Sequence, residues 1–314
     1  MIPPRLVSVF LLVLSPLCPA GNSADSKAAA GVPASEVPAA PAGQGKQPSG
    51  EPPASPDKPP APPPNPAAVR PLAQAHAHND YEHARPLLDA LDCGFMGVEA
   101  DIYLVGGQLL VAHNPEDVKP ERTLQALYLK PLAERAARGG GRIYPGAGAV
   151  TLLIDIKDDA STTWTALKPV LEEFRDILTE FDGEKLQERA VTVILSGNVP
   201  AAELAAAGAR LAFIDGRPQD LEKNPPAALV PWISSSWSAL FKWRGKGKFP
   251  EDQKKRLLEF IAKAHAQGRR VRFWGVYDEP FAWDILRKAG VDVLGSDNLP
   301  GLRDYLLKAE TPSH

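Results

Sequence analysis

Cysteine is almost missing from this chain: Cys18 and Cys93 are the only two in 314 residues. With residues 1–20 removed one remains, which excludes an intramolecular disulfide framework. Net charge is also lacking. The 35 Lys and Arg against 38 Asp and Glu leave a formal −3, which gives no overall footprint for nucleic acid or for a strongly anionic membrane. Long hydrophobic runs are absent too, apart from LVSVFLLVL after Arg5. That run is too short for a comfortable membrane span, and Pro16, Pro19 and the small residues of CPA suit a processing region better than a helix continuing into lipid. It predicts a secretory signal over residues 1–20 and hence an exported protein: periplasmic, cell-envelope or extracellular. From residue 21 to 68 large apolar side chains are scarce, and 17 of the 33 prolines fall in the first 70 positions. Such a segment cannot bury enough surface to offset the entropy of ordering, so it is expected to be a Pro/Ala-rich disordered tether.

What is present lies in residues 69–314, one domain's worth of chain and enough for a single α/β barrel, expected to be a monomer. Strand-like apolar runs alternate there with helix-like segments. The strands are LAQAHA, FMGVEADI, VTLLIDIK, AVTVILS, RLAFID, LVPWISS, RVRFWGVY and VDVLGS. Between them lie helical segments such as RPLLDALDCG, TLQALYLKPLAERAARGG, TWTALKPVLEEFRDILTEF, AAELAAAG, PEDQKKRLLEFIAKAHAQG and PFAWDILRKAG, several closing on Gly. Strand and helix alternating eight times predict a parallel (β/α)8 TIM barrel. Barrel enzymes gather their chemistry at the C-terminal strand ends. Those ends carry His78, Glu99, Asp101, Asp155, Lys157, Ser196, Asp215, Ser234, Ser236, Tyr277, Asp278, Ser296 and Asp297.

Alternate side chains of a strand share a face. Glu99 and Asp101 therefore point one way in FMGVEADI, away from Met96, Val98, Ala100 and Ile102, and Asp155 and Lys157 point away from Leu152, Ile154 and Ile156. Three inward carboxylates on neighbouring strands repel unless a positive charge lies among them. One divalent cation with oxygen ligands, Ca²⁺ or Mg²⁺, answers this, and a salt-bridge network of these carboxylates with Lys157 and an Arg is the alternative. Three of the six histidines fall in AQAHAHNDYEHARP, namely His76, His78 and His83. His78 lies nearer the rim, while His76 and His83 are expected to be supports. His113, carried by LLVAHN beyond the Gly106-Gly107 turn, comes back toward the same mouth. Two imidazoles flanking a cation can serve as general base and general acid.

The set His78-Asn79, Glu99-x-Asp101, His113-Asn114 and Asp155-x-Lys157 resembles the superfamily of glycerophosphodiester phosphodiesterases and phosphoinositide-specific phospholipases C. The resemblance covers most of residues 72–157 in order and spacing, and weakly GSDNLPGL near the end. It implies a phospholipase C-like barrel and metal-dependent cleavage of a glycerophosphodiester or phospholipid-type substrate. Either His78 or His113 would then take the proton of the attacking hydroxyl and the other would protonate the leaving alkoxide. Glu99, Asp101 and Asp155 would hold the cation, with Asn79 as a candidate further ligand, and Lys157 would hold the phosphate. The departures are specific. Asn79 follows the first His, as in eukaryotic phosphoinositide phospholipases C, where glycerophosphodiesterases usually have Arg. Asp155 stands where both usually have Glu, as in the sphingomyelinase D branch. HNDYEH and GVEADIYL look closest to the altered inheritance of mitochondria group.

Two other functions compete. His76-x-His78 also begins amidohydrolase-like and histidinol-phosphatase-type barrels, but those need further histidines at later strand ends, and Asp297 is the only later match. A barrel that binds a phosphoryl ligand without turnover is the non-catalytic alternative. Finally, Trp232, Trp237, Trp243 and Trp274 cluster in the last third, with SSSWSALFKWRGKGKFP as a long loop, and this is either an aromatic and basic lip making peripheral membrane contact or ordinary packing over the rim.

Overall fold

The computed structural model describes residues 69–310; the expected signal and tether, residues 1–68, lie outside them. The chain first forms β1 (Leu72–Ala77), α1 (Leu88–Asp92), β2 (Phe95–Val105), β3 (Gln108–Val111), α2 (Lys130–Arg138), β4 (Val150–Ile156) and α3 (Ala160–Glu173). It continues with β5 (Glu180–Phe181), β6 (Leu186–Gln187), β7 (Val191–Gly197), α4 (Ala201–Ala206), β8 (Ala212–Gly216), α5 (Asp220–Lys223) and β9 (Trp232–Ser236). The last third holds α6 (Trp237–Leu240), α7 (Glu251–Ala266), β10 (Arg270–Trp274), α8 (Pro280–Ala289), β11 (Val293–Ser296) and α9 (Leu299–Ala309).

The strands run in the order β1-β11-β10-β9-β8-β7-β4-β2, all parallel, and the pairing of β1 with β2 closes the ring into the expected eight-stranded barrel. β3 folds back antiparallel on β2 outside that ring. Each barrel strand serves two cores. Outward residues such as Val98, Ala100, Leu152, Ile154 and Val193 pack under the helices. Inward residues Leu153, Ile194, Phe213, Trp232 and Val293 make a separate apolar plug inside the barrel. Above that plug the inward positions turn polar. The register sets Asp101 beside Asp155, and Asp155 beside Ser196, across neighbouring strands.

Three local expectations are corrected. TWTALKPVLEEFRDILTEF is not one helix: α3 stops at Glu173, a 3₁₀ turn covers Arg175–Ile177, and the end becomes β5. The cause is a hairpin with β6, whose turn is held by the Asp182 carboxylate accepting the N–H groups of Glu184 and Lys185. TLQALYLKPLAERAARGG starts as a π-helical turn over Gln125–Leu129 before α2, where Pro131, which lacks an N–H, occupies the first turn. RVRFWGVY leaves the sheet after Trp274, so Tyr277 and Asp278 belong to the loop that follows.

Candidate active site

The segment after β1 does most of the positioning. Asn79 takes a left-handed backbone (φ 47°), a conformation Asn tolerates better than other side chains with a Cβ, and the chain turns through Asp80–Glu82. Asp80 is buried; its Oδ2 accepts the Leu87 N–H and the Tyr128 hydroxyl (2.9 Å), which ties the turn to the start of α1 and to the π-helical turn. Burial pushes its carboxyl up to about 7, against the pull of those two bonds. The native state therefore holds a proton that the unfolded chain releases near the ordinary Asp value, and the stability this group contributes is lost as pH rises from about 4 through about 7. Asp80→Asn should flatten that slope. Urea midpoints at pH 5 and pH 8 check it, and an advantage of the variant that does not grow between the two pH values contradicts it.

Tyr81 is the hub. Its Oη lies 2.7 Å from Asp101 Oδ2, 2.8 Å from Asn79 Oδ1 and 3.0 Å from His113 Nδ1. One hydroxyl hydrogen serves one acceptor, and the carboxylate is the strongest on offer. The Tyr81 oxygen is then free to accept from the His113 Nδ1–H. Burial, reinforced by the Asp101 charge, raises the phenol well above its usual value and keeps it protonated. His113 arrives as expected on the return from the Gly106-Gly107 turn, and its side chain is half-exposed. His78 is better covered, and its Nδ1 lies 2.8 Å from Asp297 Oδ1. Burial lowers the His78 imidazole, but the bond to Asp297 and the charges of Glu99 and Asp297 outweigh it, so its pKa stands raised. The backbone that carries Asp297 is itself held, because Asp278 Oδ2 accepts the N–H groups of Asp297 and Asn298.

Below them lie the charges. Lys157 Nζ sits 2.9 Å from Asp101 and 3.3 Å from Asp155, while Arg272 Nη2 lies 2.6 Å from Glu99 Oε2 deep in the barrel. Burial would raise the Glu99 carboxyl; Arg272, followed by the His76 bond, holds it well below the carboxylate range. Burial raises Asp101, and raises Asp155 to about 6, in spite of Lys157. Asp155 also needs Gly197 beside it, at a positive φ of 69°, because a Cβ there would stand 2.1 Å from Asp155 Oδ1. His76 is wholly buried with Nε2 at 3.4 Å from Glu99, and burial lowers it to about 4, so it is a neutral prop. His83 is partly buried and Glu82 exposed.

His78, Asn79, Glu99, Asp101, His113, Asp155 and Lys157 thus line one cavity of about 170 Å³, together with Ser196, Arg217, Arg272 and Trp274. The sequence reading missed both arginines, Trp274 and Tyr81. Arg272 carried a usable signal, since it alternates with Val271 and Phe273 and therefore faces the barrel axis. Arg217 lies past its strand and carried none. It is anchored to Asp215 Oδ2 (2.9 Å) and Ser196 Oγ (3.0 Å) and lies over the Trp274 ring. Among the described residues the acidic or histidine grouping that could hold a metal is Glu99, Asp101 and Asp155, with no histidine in it, unlike the histidine-rich sites of the amidohydrolase-like alternative.

The family described as AIM6-like phosphodiesterase domain matches residues 67–138 and 144–215. Altered inheritance of mitochondria protein 6 of Eremothecium gossypii is 31% identical over 270 residues, covering 74% of this chain and 69% of that protein. The homolog from Arthroderma benhamiae is 27% identical over 260 residues, covering 73% and 82%. Among solved structures, the apo form of a calcium-dependent phosphoinositol-specific phospholipase C from a Pseudomonas species aligns with a TM-score of 0.50 at 14% identity. That alignment covers 72% of this chain and 89% of the other, a likeness of fold. The relatives' names overturn the expectation of an exported, periplasmic, cell-envelope or extracellular protein, because they attach the group to the inheritance of mitochondria, organelles inside the cell. Its physical basis was thin: hydropathy marks an apolar run after an Arg but does not specify where the protein goes.

Proposed function

This chain belongs to the AIM6-like phosphodiesterase domain family, and from that premise we propose that it is a phosphoric diester hydrolase using one divalent cation, Ca²⁺ or Mg²⁺. Its substrate is a glycerophosphodiester or phospholipid-type phosphodiester. The observation that carries this is the pair of imidazoles on one cavity, each with Nδ1 engaged and Nε2 left for the substrate. His78, backed by the Asp297 carboxylate that stabilises its protonated form, is the general base toward water or a neighbouring hydroxyl of the substrate. His113, half-exposed at the mouth where the alcohol departs, is the general acid, and Tyr81 holds its tautomer.

The carboxylates fit a hard cation. Glu99, Asp101 and Asp155 each place an oxygen within 4.8 Å of the others, and Asp101 Oδ1 is buried with no hydrogen-bond partner among the described residues. Arg272 is committed to Glu99 and Arg217 to Asp215, so Lys157 alone is shared between two carboxylates. An anionic phosphodiester entering that cavity meets excess negative charge, and these three carboxylates with Asn79 would hold the ion that removes it. The bound cation supplies positive charge against the developing charge of the phosphoryl oxygens. Arg217, fixed by Asp215 and Ser196, presents a further positive group to the same cavity, and Lys157 pairs with the phosphate as a compact charge.

The test is hydrolysis of bis(p-nitrophenyl) phosphate and of glycerophosphodiesters by the full chain, stripped by chelator and then resupplied with Ca²⁺ or Mg²⁺. Release that disappears with chelator and returns with one ion is expected. Absence of release with either ion, alongside measurable cation binding, would favour the non-catalytic barrel instead.

A further inference from the structure

The strongest feature outside the site is a groove of about 590 Å³ between α7, α8 and the loop after α6. Its walls include Trp243, Phe249, Leu257, Leu258, Phe281 and Ile285. Leu258, Phe281 and the neighbouring Tyr277 are 43%, 44% and 44% exposed, which places three large apolar side chains in water around one depression. The loop over it reads KWRGKGK from Lys242 to Lys248, four cations in seven residues with no acid, in a chain whose formal charge is −3. Lys248 pairs with Glu251 and, across the groove, Lys288 with Asp284. Lys242, Lys246 and the groove-lining Lys254 form no ion pair among the described residues.

The loop is ordered by its own aromatics, so of the two readings of this segment its tryptophans take the packing one. Trp237 and Trp243 are buried, the Trp237 indole N–H donates to the Trp243 carbonyl, and Gln253 Oε1 accepts the N–H groups of Lys242 and Trp243. Gly245 lies so close to the rings of Tyr277 and Phe281 that a Cβ would stand 2.8 Å and 3.1 Å from them. The loop is therefore laid on the exposed rings and presents its cations outward beside them. The segment from the end of β10 that carries Tyr277 reaches the active site: Trp274, Gly275, Val276 and Asp278 line a small cavity with His78 and Asp297.

We propose that this face is a docking surface for an anionic phospholipid bilayer, with one acyl chain entering the groove while Lys242, Lys246 and Lys254 meet the headgroup charge. An apolar slot of ligand size rimmed by unpaired ammonium groups is complementary to an amphiphile that is anionic at one end. A soluble anion leaves the apolar walls unused, and a neutral bilayer leaves the cations unused. Docking here sets the barrel mouth next to the lipid surface. The surface does not depend on the chemistry of the mouth, and it is tested by binding alone.

The experiment is co-sedimentation of the full chain with vesicles of phosphatidylcholine alone and of phosphatidylcholine with phosphatidylserine. Binding to the anionic vesicles should be stronger and should fall with salt. Lys242→Gln with Lys246→Gln should weaken it by about 30-fold, at the usual contribution of each basic residue near such a surface. Phe281→Ser should weaken binding at unchanged salt dependence, and both variants should melt at the temperature of the wild type. Equal binding to neutral vesicles, or binding untouched by both variants, overturns the proposal. Self-association that Phe281→Ser abolishes overturns it too, by assigning the face to a second copy of the chain.

Discussion

His113→Ala is expected to lower turnover of a glycerophosphodiester by about 10²–10⁴-fold while largely sparing bis(p-nitrophenyl) phosphate. The alkoxide leaving group needs a proton as the bond to phosphorus breaks, and the half-exposed imidazole at the mouth is the proposed donor. The nitrophenolate leaves without one. His78→Ala should lose both substrates by a similar factor, because removing the base weakens the nucleophile whatever departs. Tyr81→Phe keeps the ring but deletes the hydroxyl between Asp101 and His113, so its loss should fall on the alkyl substrate and be accompanied by a changed pH profile. Steady-state kinetics on the two substrates decide the matter. Equal losses for both in His113→Ala would remove it from the acid role.

The largest expected stability change comes from Arg272→Met. Arg272 and Glu99 are both nearly inaccessible, at 4% and 7% side-chain exposure, and the pair is 2.6 Å apart. Deleting the guanidinium strands a carboxylate inside the barrel, a change that costs about 3–5 kcal/mol. For a domain of this size that corresponds to a melting temperature lower by on the order of 10 °C. Glu99→Gln added to the same chain removes the stranded charge and should recover most of the loss. Thermal unfolding in the presence of chelator measures both. If the single variant melts with the wild type, the buried pair is not what holds Glu99 in place.

The fold was legible because each strand wrote its two-sidedness into the chain. Leu152, Ile154 and Ile156 alternate with Asp155 and Lys157, and a period of two has only one way to face helices with one set and the barrel axis with the other. The same rule placed Glu99 and Asp101 on the inward face, and the Gly106-Gly107 turn was enough to bring His113 back. The sequence expectation set a cation against a salt-bridge network of the carboxylates with Lys157 and an Arg. Lys157 pairs with Asp101 and Arg272 with Glu99, and Asp101 still keeps a buried oxygen without a hydrogen-bond partner among the described residues. The end of the α3 segment was misread because helical periodicity ran on through residues that pair instead as a hairpin.

From the sequence alone came the barrel class, the inward carboxylates and the histidines of the rim, all of which follow from local alternation and from turns of a few residues. The tertiary structure decided which charges neutralise one another. Arg272 meets Glu99 across 173 residues and His78 meets Asp297 across 219, because β1 closes the ring between β2 and β11. It also decided that Tyr81 joins Asn79, Asp101 and His113 at one oxygen atom, and that Arg217 is locked by Asp215 and Ser196. Periodicity reports the face on which a side chain lies; its partner is set by the closure of the barrel, and electrostatic energy depends on that distance in space rather than on separation along the chain.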